Sequence, residues 1–409
     1  MEIERQDQLA VLRRRIARID RKYANTGRRT RPARPNIEQL LPGEIVRTRF
    51  GEHFETEKVW EPHRRYGSVG IGELAELPVD FLYALSEGAI PRSHPRRWAF
   101  LDTETTGLGA GSYAFLVGVG SVGTEGFRLR QFFLRAEDEE HSLLSRLAEY
   151  LAQFEVLITY NGKAYDQPLL ESRFRGARLP HPFSGLAHLD LLFGARRLWK
   201  LRLESCRLVE LENQILGVER QGDLPGVMIP YCYFEYQRTQ EAFQLIPIFH
   251  HNAMDILSLA CLTAVVPLAF RAPEEASLRH GTDLIGLARW MLKCGQREEA
   301  ARLLRRAVSL GLPDHLLFRA LWDTAAIYKR LGQFDAARDG FAELVNSRNP
   351  YRARAYEELA KHFERRERDY VQALRMTQNA LALDGTAALR RREQRLSARV
   401  AKAAAAMRS

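Results

Sequence analysis

Asp102 and Glu104 stand two residues apart behind the apolar run Trp98-Ala99-Phe100-Leu101, and on a strand that spacing sends both carboxylates to one face. No Lys or Arg lies close in sequence to neutralise them. A half-buried acid pair of this kind is electrostatically costly and asks for a cation. A third acid, Asp166, follows the segment Leu157-Ile158-Thr159-Tyr160-Asn161-Gly162, which reads as a strand ending in an Asn-Gly turn, with Asp166 in the first turn of a helix. A third group is Phe249-His250-His251-Asn252-Ala253-Met254-Asp255, continued by Ile256, Leu257, Leu259 and Leu262. That run is an amphipathic helix with two histidines about a turn before an aspartate. Each group alone has a plainer reading as a surface acid, a helix-start acid or a structural histidine. Together they are hard oxygen ligands with a base beside them, which suits Mg²⁺ or Mn²⁺ better than softer metals.

The elements that must position these residues form an α/β pattern. WAFLDTETT, AFLVGVGSVG and FRLRQFFLR are three consecutive strand-like runs separated by Gly-rich turns. A helix is expected at about 138–153, then the strand VLITY, a helix from Tyr165, a short strand near HLDLL, and further helices. Before this domain the sequence predicts an amphipathic helix over 2–23, an Arg- and Pro-containing linker, a small hairpin at about 44–60 and a short helix at 78–87. After residue 281 strands are no longer expected. LARWMLKCGQREEAARLLRRAV, TAAIYKRLGQFDAARDGFAELV and LAKHFERRERDYVQALRMTQNAL align with one another, bringing Ala300, Ala337 and Ala373 into register at 37 and 36 residues, the mark of a helical repeat. Ala325, Tyr328, Gly332, Ala337 and Phe341 resemble the helix-turn-helix pattern of tetratricopeptide repeats, with Glu367 standing where the third copy should have its turn glycine. The expected organisation is a basic arm and linker at 1–35, a hairpin-containing lead-in at 36–96, a catalytic domain at 97–272, repeats at 281–388 and a basic tail at 389–409.

Taken jointly, the three acidic groups resemble the motifs of the DEDD exonuclease superfamily. FLDTETTGL, TYNGKAYDQPLL, HLDLL with Leu198-Trp199, SCRLVELENQILG, DLPG and HHNAMDILSLACL, in this order, resemble more closely the YprB-like family of ribonuclease-H-like proteins, whose members often carry tetratricopeptide repeats. The resemblance covers about residues 40–385. It implies a mixed five-stranded ribonuclease-H-like sheet and an all-α repeat domain. It also implies two divalent ions, Mg²⁺ or Mn²⁺, held by Asp102, Glu104, Asp166 and Asp255, with Asp102 bridging. The implied reaction is attack of water on a phosphodiester of RNA or single-stranded DNA from the 3′ end, the ion pair clamping the attacking and leaving oxygens. One branch of the superfamily has its base five residues before the last acid, matching His250; the other has it four before, matching His251. Four residues back lies about 40° from Asp255 around a helix and five back about 140°, which favours His251 unless the helix starts after His250. The resemblance further points to Thr105, Gly107 and Leu108 against the 3′-terminal nucleotide, with Asn161 beside them, while Tyr160, Lys163 and Tyr165 share that edge. An endonuclease on the same fold fits the second and third motifs less well.

Length, charge and cysteines bound the remainder. The 409 residues, 45% hydrophobic and 27% charged, suit two or three folded domains. The net charge of +10 is concentrated at the ends, +7 in residues 1–35 and +6 in 390–409, leaving −3 between them. No uninterrupted apolar run reaches the roughly 18 residues of a membrane helix, and the N-terminus lacks the apolar core of a signal peptide; a cytoplasmic protein without membrane contact is expected. Cys206, Cys232, Cys261 and Cys294 form no CxxC pair and read as buried free thiols. Nucleic acid is the expected partner, with a protein partner possible on the repeats. A non-catalytic scaffold that binds nucleic acid and recruits partners is the alternative to an enzyme.

Overall fold

The computed structural model describes residues 35–406 apart from 87, 108, 110 and 274–277. The expected helix over 2–23, its linker and Leu108 lie outside the described residues. Nine strands are present among these residues: β1 (Gly43–Thr48), β2 (Gly51–Trp60), β3 (Arg65–Tyr66), β4 (Val69–Gly70), β5 (Trp98–Thr105), β6 (Ala114–Gly123), β7 (Gly126–Phe133), β8 (Val156–Thr159) and β9 (Ala187–Asp190). Seven of them make one sheet in the order β1-β2-β7-β6-β5-β8-β9, and β3 pairs with β4 separately. β5 is antiparallel to β6 and parallel to β8, so the sheet is mixed.

The sheet has seven strands, not the expected five. The hairpin at 43–60 is no detached lead-in, because β2 pairs antiparallel along the open edge of β7. Polar side chains conceal this in the sequence. Glu57 pairs with Arg130 at 2.7 Å and with Arg128 at 3.4 Å across the two strands. His53, Phe54, Glu55 and Thr56 are all buried, so both faces of β2 are covered, and an uncovered β7 would present an unpaired edge.

Alternation along β5 sets the two sides of the sheet. Trp98 and Phe100 join a core that includes Ala253, Ile256, Leu257 and Ala260, whereas Ala99 and Leu101 join a second core on the opposite face. That second face is covered by helices α1 (Glu140–Leu151), α2 (Asp166–Gly176) and α4 (Ile229–Thr239). α3 (Leu191–Trp199) and the 26-residue α5 (Ile246–Arg271) cover the first. By length and composition α5, with the turn before it, is apolar enough to cross a membrane, but 72% of the relevant window is buried. It is the central core helix, and its hydrophobicity follows from burial on nearly every side.

Beyond it come three antiparallel helix pairs, α6 (Gly281–Lys293) with α7 (Arg297–Ser309), α8 (Asp314–Arg330) with α9 (Phe334–Val345), and α10 (Arg352–His362) with α11 (Tyr370–Leu381). Ala300, Ala337 and Ala373 are each the fourth residue of the second helix in a pair, and all three are buried. Gly295 and Gly332 take left-handed backbone at the turns of the first two pairs; in the third the corresponding residue is Arg368, one place after Glu367, with φ 55°. α6 continues the first core, packing Trp290 against Phe270 with ring centroids 5.0 Å apart and the rings tilted by 50°. It approaches α3 so closely that a Cβ on Gly286 would lie 2.4 Å from the Arg197 carbonyl oxygen. The expected basic tail is α12 (Ala387–Ala406), docked by buried Leu389 and Leu396 and by Arg392 and Arg395 on the Glu364 carboxylate. Of the four cysteines, all free, only Cys261 is fully buried; the other three are half-buried.

Candidate active site

Asp102 and Glu104 continue the face of β5 that begins with Trp98 and Phe100, so the strand period carries both acids to the α5 side of the sheet. The ladder with β6 shifts register between Glu104 and Thr105, and this irregularity ends the strand at the site. Asp102 lies opposite Gly118. A Cβ on Gly118 would stand 2.2 Å from Asn252 Oδ1 and 2.3 Å from Ile256 Cδ1, and one on Gly120 would stand 2.6 Å from Ile256 Cγ2. The absent side chains let α5 approach closely enough for Asn252 Nδ2 to donate to Asp102 Oδ2 at 2.9 Å. Asn252 is itself held, because Gln131 Nε2 donates to its Oδ1 and to the Phe249 carbonyl, each at 2.9 Å. Thr56 Oγ1 in turn donates to Gln131 Oε1 at 3.1 Å. A buried chain of amides thus runs from the edge hairpin to Asp102.

The Asn-Gly turn works by two devices. Asn161 adopts left-handed backbone at φ 68°, which Asn tolerates better than most residues, and a Cβ on Gly162 would lie 2.5 Å from the Thr159 side chain. Asp190 at the end of β9 pins the turn, accepting from the Asn161 and Lys163 amides at 2.8 and 3.2 Å while capping α3 through the Leu192 amide at 3.1 Å. The turn delivers Asp166 as the first residue of α2, where Thr103 Oγ1 donates to it.

α5 begins at Ile246, so His250 and His251 are both within the helix. His251 faces the acids: its Nε2 lies 3.6 Å from Asp255 Oδ2, and its Nδ1 lies 2.9 Å from Asp223 Oδ1. His250 is exposed. Arg220, only 6% exposed at its side chain, reaches Asp255 Oδ1 at 2.6 Å and Asp223 Oδ2 at 3.1 Å, and pairs with buried Glu212. Asn252, Asp190, Asp223, Arg220 and Glu212 are the site residues that sequence reasoning did not single out. Three of them lay in quoted segments whose polar residues had no assigned purpose: Asp190 in HLDLL, Glu212 in SCRLVELENQILG and Asp223 in DLPG.

Charge crowding is the dominant property of this site. Burial, then the negative charges of Asp255, Glu104 and Asp166, pushes the Asp102 carboxyl well above its ordinary range. Burial pushes Glu104 up to about 8, partly opposed by His251. Asp166 rises to about 6, again mainly by burial, with the Thr103 hydroxyl opposing. Burial works against a charged His251, but Asp255, Glu104 and Asp223 outweigh it and raise its proton affinity. His250 moves the other way, lowered by burial and by Lys58. Buried Glu104 Oε1 has no hydrogen-bond partner. Among the described residues no three His, Cys, Asp or Glu side chains already close on one point as a finished coordination shell would. The donor set is nonetheless chemically matched to a hard divalent cation: all oxygen, excess negative charge and an unsatisfied buried carboxylate oxygen.

Asp102 and Asp166 open into a cleft of 510 Å³ whose wall also includes Thr105, Gly107, Asn161 and Tyr165. Of the four expected substrate contacts, Thr105, Gly107 and Asn161 therefore face the same space as Asp102 and Asp166. Thr105 Oγ1 donates to the Gly107 carbonyl at 3.1 Å and shapes the rim. Tyr165 is 51% exposed there, while Tyr160 donates its hydroxyl to the Cys206 carbonyl.

Residues 99–266 match the model of the RNase_H superfamily. The match begins on β5, includes the whole acidic site, and ends within α5. The uncharacterized protein YprB of Bacillus subtilis (strain 168) is 31% identical over 313 residues, an alignment covering 74% of this chain and 73% of that protein. Superfamily membership brings the expectation of a nucleic-acid-cleaving hydrolase fold and of divalent metals, in keeping with the carboxylates gathered at the end of β5. By its fold, by that match and by the extent of its likeness to YprB, the chain belongs to the YprB family of the RNase_H superfamily.

Proposed function

We propose that this protein is a metal-dependent nuclease that removes nucleotides from the 3′ end of RNA or single-stranded DNA. The observation that carries the reading is the convergence of Asp102, Glu104, Asp166 and Asp255 with His251 beside them, a crowding in which burial disfavours ionisation of Asp102, Glu104 and Asp166 unless a cation is bound. Two divalent ions bound by these four acids would supply Lewis-acid activation of water and stabilise charge on the phosphoryl oxygens. The protein's own residues do the rest. Asn252 fixes the Asp102 carboxylate, and Thr103 fixes Asp166. The Asp223 carboxylate beside Nδ1 selects the tautomer of His251 that protonates Nδ1, leaving Nε2 on the Asp255 side to accept a proton from water. Thr105, Gly107 and Asn161 form the wall against which a terminal nucleotide would lie. The helix pairs after residue 281 we read as degenerate tetratricopeptide-like repeats that hold a protein partner.

One contact favours the alternative of a non-catalytic nucleic-acid-binding scaffold. Arg220 Nη2, 2.6 Å from Asp255 Oδ1, already gives that oxygen a cation. Digestion of 5′-labelled single-stranded RNA and DNA with Mn²⁺ or Mg²⁺, beside Asp102→Ala and Asp255→Asn, separates the two readings. The nuclease reading expects a ladder shortening from the 3′ end, abolished by EDTA and by either variant while the fold remains intact. Binding without chelator-sensitive cleavage, or near-normal turnover by Asp102→Ala, would refute it.

A further inference from the structure

The cleft lined by Asp102 and Asp166 is not a closed pocket. Tyr160 and Asn161, on its wall, also line a second cleft of 670 Å³ between α3 and residues 204–208. The shared joint is rigid: Asn161 is pinned by Asp190, and the Tyr160 hydroxyl ties the end of β8 to the Cys206 carbonyl. Arg196, Lys200 and Arg207 project into the second cleft against a single acid, Glu204.

These three bases are exposed, and among the described residues none has its side chain in an ion pair or hydrogen bond. Several other arginines of this domain are paired: Arg128 and Arg130 with Glu57, Arg173 with Glu140, Arg202 with Asp283 and Arg220 with Asp255. Arg196 on α3 and Lys200, its C-terminal cap with helical backbone, follow Phe193 at three and seven residues, a spacing that places all three on one helical face. Phe193 is 54% exposed. Bases in the last turn of a helix have a plain use, complementing its dipole. Arg207 is not on α3, so the dipole does not account for it. The local surplus also stands against the background of the chain between its basic ends, whose net charge is −3.

We infer that the Arg196–Lys200–Arg207 cleft holds the phosphate backbone of a nucleic-acid strand whose 3′ end lies at the acids, so that the substrate is a polynucleotide extending several residues upstream and not a mononucleotide or short fragment. This rests on the nuclease reading for which end lies where, but not for the binding itself. Guanidinium and ammonium groups beside an exposed aromatic ring grip a single strand through phosphate and base together, without regard to sequence. The occupant is committed by charge and by the exposed ring together: a surface of three unpaired cations beside Phe193 complements a chain that carries both phosphodiesters and bases.

The test is equilibrium binding of 5′-fluorescein-labelled oligo(dT) and oligo(U) by anisotropy, using the full chain in EDTA so that no strand is cut. Lengths of about 4 and about 16 nucleotides span single-strand site sizes. The variant R196A/K200A/R207A should bind the longer strands of both sugars about tenfold or more weakly, and the slope of log K against log salt should fall by about 2, near 0.7 per lost contact. The 4-nucleotide strands should change less than twofold. A control, R390A/R391A/K402A, removes equal charge from α12 and should leave the longer strands unaffected. Wild-type affinity and slope in the cleft variant would overturn the inference, as would an equal loss in the control. So would competition by poly-glutamate as effective as that by oligonucleotide, which would mark a site for acidic protein. Turnover, measured separately with Mn²⁺, keeps the two readings apart: no cleavage by any form, with the binding contrast intact, sinks the nuclease reading alone.

Discussion

Glu104 offers the most direct measure of whether the acids are built for a cation. Its folded proton affinity is raised from 4.5 to about 8, chiefly by burial. A group shifted upward contributes stability that is complete below its unfolded value and is lost as pH rises through the folded one. At about 1.4 kcal/mol per pH unit, the loss from this residue between pH 4.5 and 8 is on the order of 5 kcal/mol. At the 2–4 °C per kcal/mol usual for larger domains, that corresponds to a fall in Tm of roughly 10–20 °C. Glu104→Gln removes the ionisation and keeps the shape. Thermal unfolding in EDTA should therefore show the wild type losing stability from pH 5 to pH 8 relative to Glu104→Gln, with the variant the more stable of the two at pH 8. Mn²⁺ should reverse the order at pH 8, because it stabilises the wild-type carboxylate and has less to bind in the variant. If Glu104→Gln proved less stable than the wild type at pH 8 in EDTA, or if Mn²⁺ raised both Tm values equally, the assignment of Glu104 as an unsatisfied metal-ligating acid would fail.

Two further outcomes follow from the geometry around α5. His251→Ala should lower kcat by roughly 10² to 10⁴, the usual worth of a general base, with Mn²⁺ affinity retained by calorimetry, whereas exposed His250→Ala should leave kcat within a few-fold; the reverse pattern would move the base to His250. Gly118→Ala should cost about 1–3 kcal/mol in urea unfolding through overpacking against Asn252 and Ile256, and should reduce kcat because Asn252 can no longer hold Asp102. Unchanged activity in this variant would show that the Asn252 hydrogen bond has no part in positioning the acid.

Much of this molecule was open to a reading of residue types and spacing. The strand period placed Asp102 and Glu104 on one face, the Asn-Gly turn marked where β8 stops and α2 starts, and the 37- and 36-residue spacing of Ala300, Ala337 and Ala373 marked the helix pairs, because such signals are local and lie within a few turns of backbone. The angular argument for His251 over His250 depended only on where α5 begins, and it begins before both. What the tertiary structure decided is long-range. The sheet grew from five strands to seven because β2 pairs with β7 through Glu57 and Arg130, seventy-three residues apart, and no local pattern reports such a pairing. Asn252 reads as an ordinary helix residue until Gly118, on a distant strand, leaves the room that brings it to Asp102. Arg220, Asp223 and Glu212 lie in loops and short turns with no periodicity to betray them, and only the packing of those segments against α5 joins them to Asp255 and His251. Local spacing could say which acids share a face, but the groups that hold them, neutralise them and leave Glu104 Oε1 without a partner come from segments that meet only when the chain is folded.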